Sequence, residues 1–292
     1  MKKIRILFNP KAGSGLAPKI AKLVDASGLA EKYEVETIQT EYAGHGTILA
    51  KEAADNNYHS VIAIGGDGTV NEVARSLVHS ETALGVIPAG SGNGLAKHIG
   101  MKSKATDCFF QLLNAEIKSI DTLKINEHFG LNVSGFGFDG YVAWLFNKSP
   151  KRGLSTYTKI GLQEYFKYPS IEFTITIDEK PFTTNAHMLV IANASQFGNA
   201  AIIAPKASLE DSLIDLVAVK KPNFAAIPET MIRLFTGTLK DNKYIKTTKC
   251  KSFVATADRP VHLHVDGEAI DPLNKITVEL FPLSLKVMMP KL

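Results

Sequence analysis

The stretch Val61-Ile62-Ala63-Ile64-Gly65-Gly66-Asp67-Gly68-Thr69-Val70-Asn71-Glu72 decides how this chain is read. A short β-branched run ends in glycines. An apolar pattern at Val70, Val73, Ala74, Leu77 and Val78 then fits one face of a helix. The glycines therefore sit between a buried strand and a helix N-terminus. Such a junction suits a phosphate, because free backbone N–H groups and the positive helix end face the anion. Glycine also lets the backbone come close and adopt positive φ. Asp67, an acid inside the loop, is a poor phosphate contact and is better suited to orienting a sugar hydroxyl, a bound water or Mg²⁺.

Working outward, two more glycine loops follow the same plan. Leu84-Gly85-Val86-Ile87 leads into Pro88-Ala89-Gly90-Ser91-Gly92-Asn93-Gly94, and Ile6-Leu7-Phe8 leads into Asn9-Pro10-Lys11-Ala12-Gly13-Ser14-Gly15. One glycine turn is a weak signal. Three, each after a strand and before a helical pattern, point to a doubly wound sheet, whose loops gather at the carboxyl ends of the strands where ligands bind. Strand signals at 4–8, 34–40, 61–64 and 84–87 alternate with helix signals at 18–28, 46–56, 70–79, 92–99 and 105–115. From about residue 118 strands dominate, at 118–125, 129–133, 171–177, 186–193, 213–219, 252–256, 260–265, 275–280 and 284–289, with helical stretches near 154–167 and 223–236. The expectation is an α/β nucleotide-binding domain over 1–120, followed by a β-rich, mostly antiparallel sandwich domain over 121–292.

Composition sets limits. The 292 residues are 45% apolar and 21% charged, as in an ordinary globular protein. The net charge of +4 is too mild to argue for nucleic acid, though compatible with an anionic membrane surface. No apolar run approaches the roughly 20 residues that span a bilayer. Two cysteines, Cys108 and Cys250, outside any metal-ligand spacing, fit a reducing compartment. The cytoplasm is the expected location. Basic clusters stand at Lys148, Lys151 and Arg152, and at Lys240, Lys243, Lys246, Lys249 and Lys251. Solvated loops are the plain reading of both.

The second half carries its own candidates. Val261-His262-Leu263-His264-Val265 alternates like a half-buried strand and runs into Asp266-Gly267-Glu268, which puts Asp266 on the polar face with His262 and His264. Asp-Gly is also a strong hairpin signal, and histidines on a solvated strand face need no ligand role. Asp211-Ser212-Leu213-Ile214-Asp215 sets two acids in a turn, able to bind a hard cation or to serve as common turn residues. Gly135-Phe136-Gly137-Phe138-Asp139-Gly140 is another acid-bearing glycine turn whose aromatics face a lipid or fill a core.

At these residues the sequence resembles the lipid kinases of the bacterial diacylglycerol kinase and eukaryotic sphingosine kinase type. Gly-Gly-Asp-Gly-Thr continued by Asn-Glu, a downstream Pro-X-Gly-Ser-X-Asn and a late Val-Asp-Gly-Glu form an ordered set over nearly the whole chain. NAD kinases share the first motif without the Asn-Glu continuation. The resemblance implies transfer of the γ-phosphoryl of ATP to a lipid's primary hydroxyl. It implies nucleotide contacts at Asn9, Pro10, Lys11, Ala12, Gly13, Thr40, Gly65, Gly66, Asp67, Gly68, Thr69, Val70, Asn71 and Ser91. It implies a structural Mg²⁺ at Asp211 with the main-chain oxygens of Ser208 and Leu213, linked to Asp121, although the Asp211-Ser212 turn lacks the family's glycine. Asp139 matches an acid that contacts the polar head of the lipid in sphingosine kinases. For the general base, the diacylglycerol kinase pattern gives Asp266 with Glu268 in support, and the sphingosine kinase pattern gives Asp67. The reading adopted is Asp266 as base and Asp67 as orienter of nucleotide and Mg²⁺. A non-catalytic, nucleotide-gated lipid-binding regulator on the same fold would have lost at least one of Asp67, Asn71 and Asp266. The expected partners are a lipid substrate and, transiently, a membrane surface, which Phe136, Phe138, Trp144, Phe146 and Tyr157 with Lys148, Lys151 and Arg152 either meet as an interfacial patch or ignore as core. Oligomeric state, a homodimer included, is not read from the sequence.

Overall fold

In a computed structural model, residues 1–150, 153–198 and 201–291 are described. Lys151 and Arg152 of the first basic cluster lie outside them. The chain divides into two units, Met1–Asp121 with Pro282–Leu292, and Thr122–Phe281.

The first unit begins with β1 (Lys2–Phe8), α1 (Leu16–Ala21), α2 (Leu29–Lys32), β2 (Tyr33–Gln39) and α3 (His45–Asp55). It continues with β3 (Ser60–Gly65), α4 (Asp67–Leu77), β4 (Ala83–Pro88), α5 (Gly94–His98), α6 (Ala105–Leu113) and the first part of β5 (Glu116–Ile125). Strands β1 to β4 are parallel, in the order β2-β1-β3-β4. Every residue of β3 is buried, as expected of a parallel strand covered on both faces. The predicted apolar face of α4 is buried at Val70, Val73, Ala74 and Leu77, with Val70, Val73 and Leu77 each contributing about 1.5–3 kcal/mol. The helix expected over 18–28 is broken. It stops at Ala21, and Gly28 at φ 78° separates a short turn from α2. From β1 the chain moves outward to β2, then crosses back to β3 on β1's other side. The chain therefore leaves β1 and β3 in opposite directions at a topological switch point, where ligands bind in such sheets.

The second unit holds the end of β5, then β6 (His128–Gly130), β7 (Val133–Gly137), α7 (Phe138–Lys148), α8 (Leu154–Tyr165), β8 (Ile171–Ile177), β9 (Lys180–Ala186) and β10 (Met188–Ala192). There follow β11 (Ile214–Val219), α9 (Ile227–Thr236), β12 (Ile245–Cys250), β13 (Ser252–Val265) and β14 (Glu268–Met289). Its ladders are antiparallel: β12-β11-β10-β7-β13, with β14 and β8 also on β13. Alternation divides the side chains between two cores. Leu189, Ile191 and Leu216 join one, while Val190, Ala192, Val217 and Val219 join the other.

The strand expected over 129–133 is two strands, β6 and β7. Residues 135–140 are no turn: β7 ends at Gly137 and α7 starts at Phe138. The runs 252–256 and 260–265 are one strand with register shifts, and 275–280 and 284–289 lie in the single strand β14. The end of β14 pairs in parallel with β4 through Val287 and Leu84, so residues 282–292 belong to the first unit, not to the second as expected. Phe136 is wholly buried, so it is core rather than interfacial. No helix among the described residues is long and apolar enough to cross a membrane.

Candidate active site

The three glycine loops meet at the carboxyl ends of β1, β3 and β4. The backbone itself makes the junction: Ala89 N–H donates to the Gly65 carbonyl at 2.8 Å. A Cβ on Gly90 would fall 2.5 Å from Gly66 Cα, and one on Gly13, which sits at φ +61°, would fall 2.0 Å from the Ala89 carbonyl oxygen. Glycine is required here because backbone lies against backbone. Asn9 Oδ1 accepts the Lys11 N–H at 2.9 Å and turns the first loop. Thr40 follows β2 at the same edge, its N–H on the Phe8 carbonyl at 2.9 Å.

Asp67 opens α4 and reaches into the loop after β4. Its carboxylate accepts the N–H groups of Asn93 at 2.9 Å and Gly94 at 2.6 Å, which fixes the start of α5. Burial pushes the Asp67 carboxyl up from its ordinary range, opposed by those same N–H groups. Asn93, at φ 54°, staples the loop: its Oδ1 accepts the Gly90 N–H at 3.0 Å and its Nδ2 donates to the Gly90 carbonyl at 2.8 Å. Asn93 was legible as part of the motif but not as an anchor. Gly68 and Ser91 are exposed at the rim, while Thr69 and Val70 are buried under it. Glu72 faces away, accepting the Gly44 N–H at 3.0 Å and tying α4 to the segment that opens α3. The arrangement sets the N-terminus of α4 beside loops lined by backbone, a setting suited to a polyphosphate.

In the second unit Asp266 and Gly267, at φ 50° and 88°, form the two-residue turn that joins β13 to β14. The hairpin expectation is met. Asp266 is half-buried, and its two carboxylate oxygens accept the N–H groups of Leu131 and Asn132, each at 2.8 Å. Those bonds fix the orientation of the carboxylate. Glu268 begins β14 and is exposed. His264 does not lie on a solvated face with His262, as alternation suggested. It is 3% exposed, with Nε2 2.6 Å from Asp139 Oδ2. Asp139 is buried as well, and Tyr157 O–H donates to its Oδ1 at 2.8 Å, so its carboxylate is turned inward. Burial would raise the Asp139 carboxyl, but His264 and Tyr157 hold it below its usual range.

The expected magnesium donors are not assembled in a form that fits the ion. Asp211 Oδ1 accepts the Leu213 N–H at 3.2 Å, and Oδ2 lies 2.6 Å from Lys249 Nζ. Lys249 also lies 3.2 Å from Asp215 Oδ2, directly across the β11–β12 ladder. Ser208 Oγ accepts the Glu210 N–H at 3.2 Å. An ammonium already neutralises the carboxylate that a dication would need. Ser212 stands at φ 58° where the family has glycine. Asp121 belongs to the first unit, fully buried, and accepts the Leu283 N–H at 2.8 Å. Among the described residues no group of three or more His, Cys, Asp or Glu side chains could hold a metal.

Comparison with known proteins gives a consistent result. Residues 3–125 match the model of the diacylglycerol kinase catalytic domain, and residues 132–289 match the YegS C-terminal NAD kinase beta sandwich-like domain. A diacylglycerol kinase of Bacillus subtilis is 29% identical over 302 residues, covering 100% of this chain and 97% of its own. One of Staphylococcus epidermidis is 26% identical over 273 residues, covering 91% and 86%. In fold the chain is similar to a crystal structure of a putative diacylglycerol kinase from Bacillus anthracis, with TM-score 0.81, 21% identity and coverage of 99% and 97%. The glycine loops on a parallel sheet, the Asp-Gly-Glu hairpin in the β-rich unit and both domain matches lead to one conclusion: the chain belongs to the diacylglycerol kinase-type lipid kinase family, a catalytic domain followed by a YegS-type β-sandwich-like domain.

Proposed function

We propose that this lipid kinase transfers the γ-phosphoryl group of ATP, carried as its Mg²⁺ complex, to the primary hydroxyl of diacylglycerol. The observation that supports it best is the convergence of the Asn9–Gly13, Gly65–Asn71 and Gly90–Gly94 loops into one backbone-lined cradle. Phosphoryl transfer asks chiefly for positioning and charge neutralisation, which such a cradle supplies. In this reading Asp67 orders the cradle through Asn93 and Gly94 and orients the nucleotide's Mg²⁺, and Asp266, with Glu268 nearby in sequence, takes the proton of the lipid hydroxyl. The curated relatives carry the name diacylglycerol kinase, which favours that acceptor over a sphingoid base. The lipid brings the protein into transient contact with a membrane surface, and Lys148, stacked 3.4 Å over Trp144, is an exposed cation suited to anionic headgroups.

Transfer of label from ATP to a lipid panel in mixed micelles tests the proposal, with diacylglycerol, monoacylglycerol, sphingosine-type bases, ceramide and undecaprenol as acceptors and NAD as control. Label in diacylglycerol is the expected result. Label confined to a sphingoid base overturns the acceptor, and label confined to NAD overturns the lipid reading.

A further inference from the structure

The segment Gly135-Phe136-Gly137-Phe138-Asp139-Gly140 has no part in the phosphate cradle, yet its glycines answer to a specific demand. A Cβ on Gly135 would fall 2.3 Å from Asp139 Oδ2 and 2.8 Å from His264 Nε2. A Cβ on Gly140 would fall 2.3 Å from the His262 carbonyl oxygen. These two glycines therefore clear the room in which α7 lies against β13 and Asp139 reaches His264. What the pair does is set by the other side of the imidazole. His264 Nδ1 accepts the N–H of Gly267 at 3.1 Å, so the ring proton sits on Nε2 and is donated to Asp139 at 2.6 Å. Gly267 is the second residue of the hairpin turn, and the first is Asp266, a non-glycine residue at φ 50°. A two-residue Asp-Gly hairpin turn asks for this left-handed aspartate, which costs about 1 kcal/mol and is held by its hydrogen bonds. The supports include the Leu131 and Asn132 N–H groups on the carboxylate, the Ser134 hydroxyl accepting the Asp266 N–H at 3.4 Å, and the His264 acceptor on the next N–H.

We propose that Asp139 and His264 are positioning residues for the reaction: Asp139 fixes the tautomer and orientation of His264, and His264 holds the Asp266–Gly267 turn in the shape that aims the Asp266 carboxylate at its proton. The inference rests on Asp266 being the base. Tyr157, donating to Asp139 Oδ1, completes the chain. Misplacing a reacting group by about 1 Å costs on the order of 100-fold in rate, so the consequence is large without any contact between His264 and substrate.

Two substitutions of similar size separate this from a merely structural role. His264→Asn puts an amide oxygen near the position of Nδ1 and keeps the acceptor for Gly267. His264→Gln reaches Asp139 and offers Gly267 nothing. In lipid phosphorylation assays the glutamine variant loses about 10- to 100-fold in kcat with the KM for ATP unchanged, while the asparagine variant stays within about 5-fold of wild type. Nitrogen-15 NMR of the wild-type imidazole shows a neutral ring protonated on Nε2. A glutamine variant with wild-type kcat, two variants equally impaired, or a ring protonated on Nδ1 overturns the proposal. Should the glutamine variant fail to fold, Tyr157→Phe keeps the ring and removes one donor to Asp139; a kcat about 3- to 10-fold lower is expected, and wild-type kcat overturns the proposal. Asp266→Asn, run alongside, distinguishes the two failures. If it is inactive while His264→Gln is normal, only the positioning role falls. If it turns over normally, the base assignment falls and the positioning role with it.

Discussion

Asp67 shows how a side chain's place was legible while its contacts were not. Its position between a strand and a helix N-terminus was read from the sequence; the bonds that order the neighbouring loop, from Asn93 and Gly94, were not. Asp67→Asn keeps the shape but weakens acceptance of two backbone N–H groups, so the KM for ATP should rise about 10-fold, the loss expected from about 1.4 kcal/mol of binding. A steady-state ATP titration checks this. An unchanged KM with lost kcat would instead make Asp67 the base. The glycines were legible because close backbone approach leaves no other residue possible. His264 was misread for a physical reason: period-2 alternation assumes one wet face, whereas this strand is packed so that Leu263, His264 and Val265 are all buried. A polar residue on such a strand needs a partner, and Asp139 lies 125 residues away in sequence.

At the scale of elements, the alternating α/β pattern read cleanly because β1, β3 and β4 are apolar runs ended by glycine loops. Two strands were missed. β9 (KPFTTNA) and β12 (IKTTKC) are threonine- and lysine-rich and carry little hydrophobic signal. The second of them brings Lys249 opposite Asp215, placing one ammonium between the carboxylates of Asp211 and Asp215. Burial would lower the Lys249 ammonium, but Asp211 and Asp215 raise it above its ordinary value. Lys249→Met should therefore lower stability by about 1–3 kcal/mol, because it leaves two carboxylates together, one of them fully buried. Millimolar EDTA should leave the melting temperature of the nucleotide-free wild type where it is. A melting temperature that falls with EDTA would restore the metal.

His187 marks a second element-scale effect. Its ring stacks on Phe138 at 4.4 Å and lies 5.1 Å from Tyr165. Burial, aided by Lys221, pushes its pKa down to about 4. Between that value and the ordinary one near 6.5 the unfolded chain binds the extra proton, so stability rises with pH across this window and is lost on acidification. The loss reaches up to about 2 kcal/mol at pH 5. Denaturant melts at pH 7 and pH 5 should show it, and His187→Phe should flatten the difference; an unchanged slope in that variant would assign the effect to other groups.

For the whole molecule, the two-part plan was legible from the switch between alternating and strand-rich patterns. The return of the chain was not. Residues 282–292 read as one more strand of the second unit, because a single parallel bridge to β4 leaves no local signature. The same division assigns the phosphate cradle to the first unit and the Asp266 hairpin to the second. The decisive measurement compares wild type with Asp266→Asn in phosphate transfer from labelled ATP to diacylglycerol. Wild type should label the lipid, and the variant should lose about 100- to 10,000-fold in kcat, the range for removing a general base, while its KM for ATP stays put. A variant that phosphorylates diacylglycerol at the wild-type rate, or a wild type that labels no lipid at all, would contradict the account.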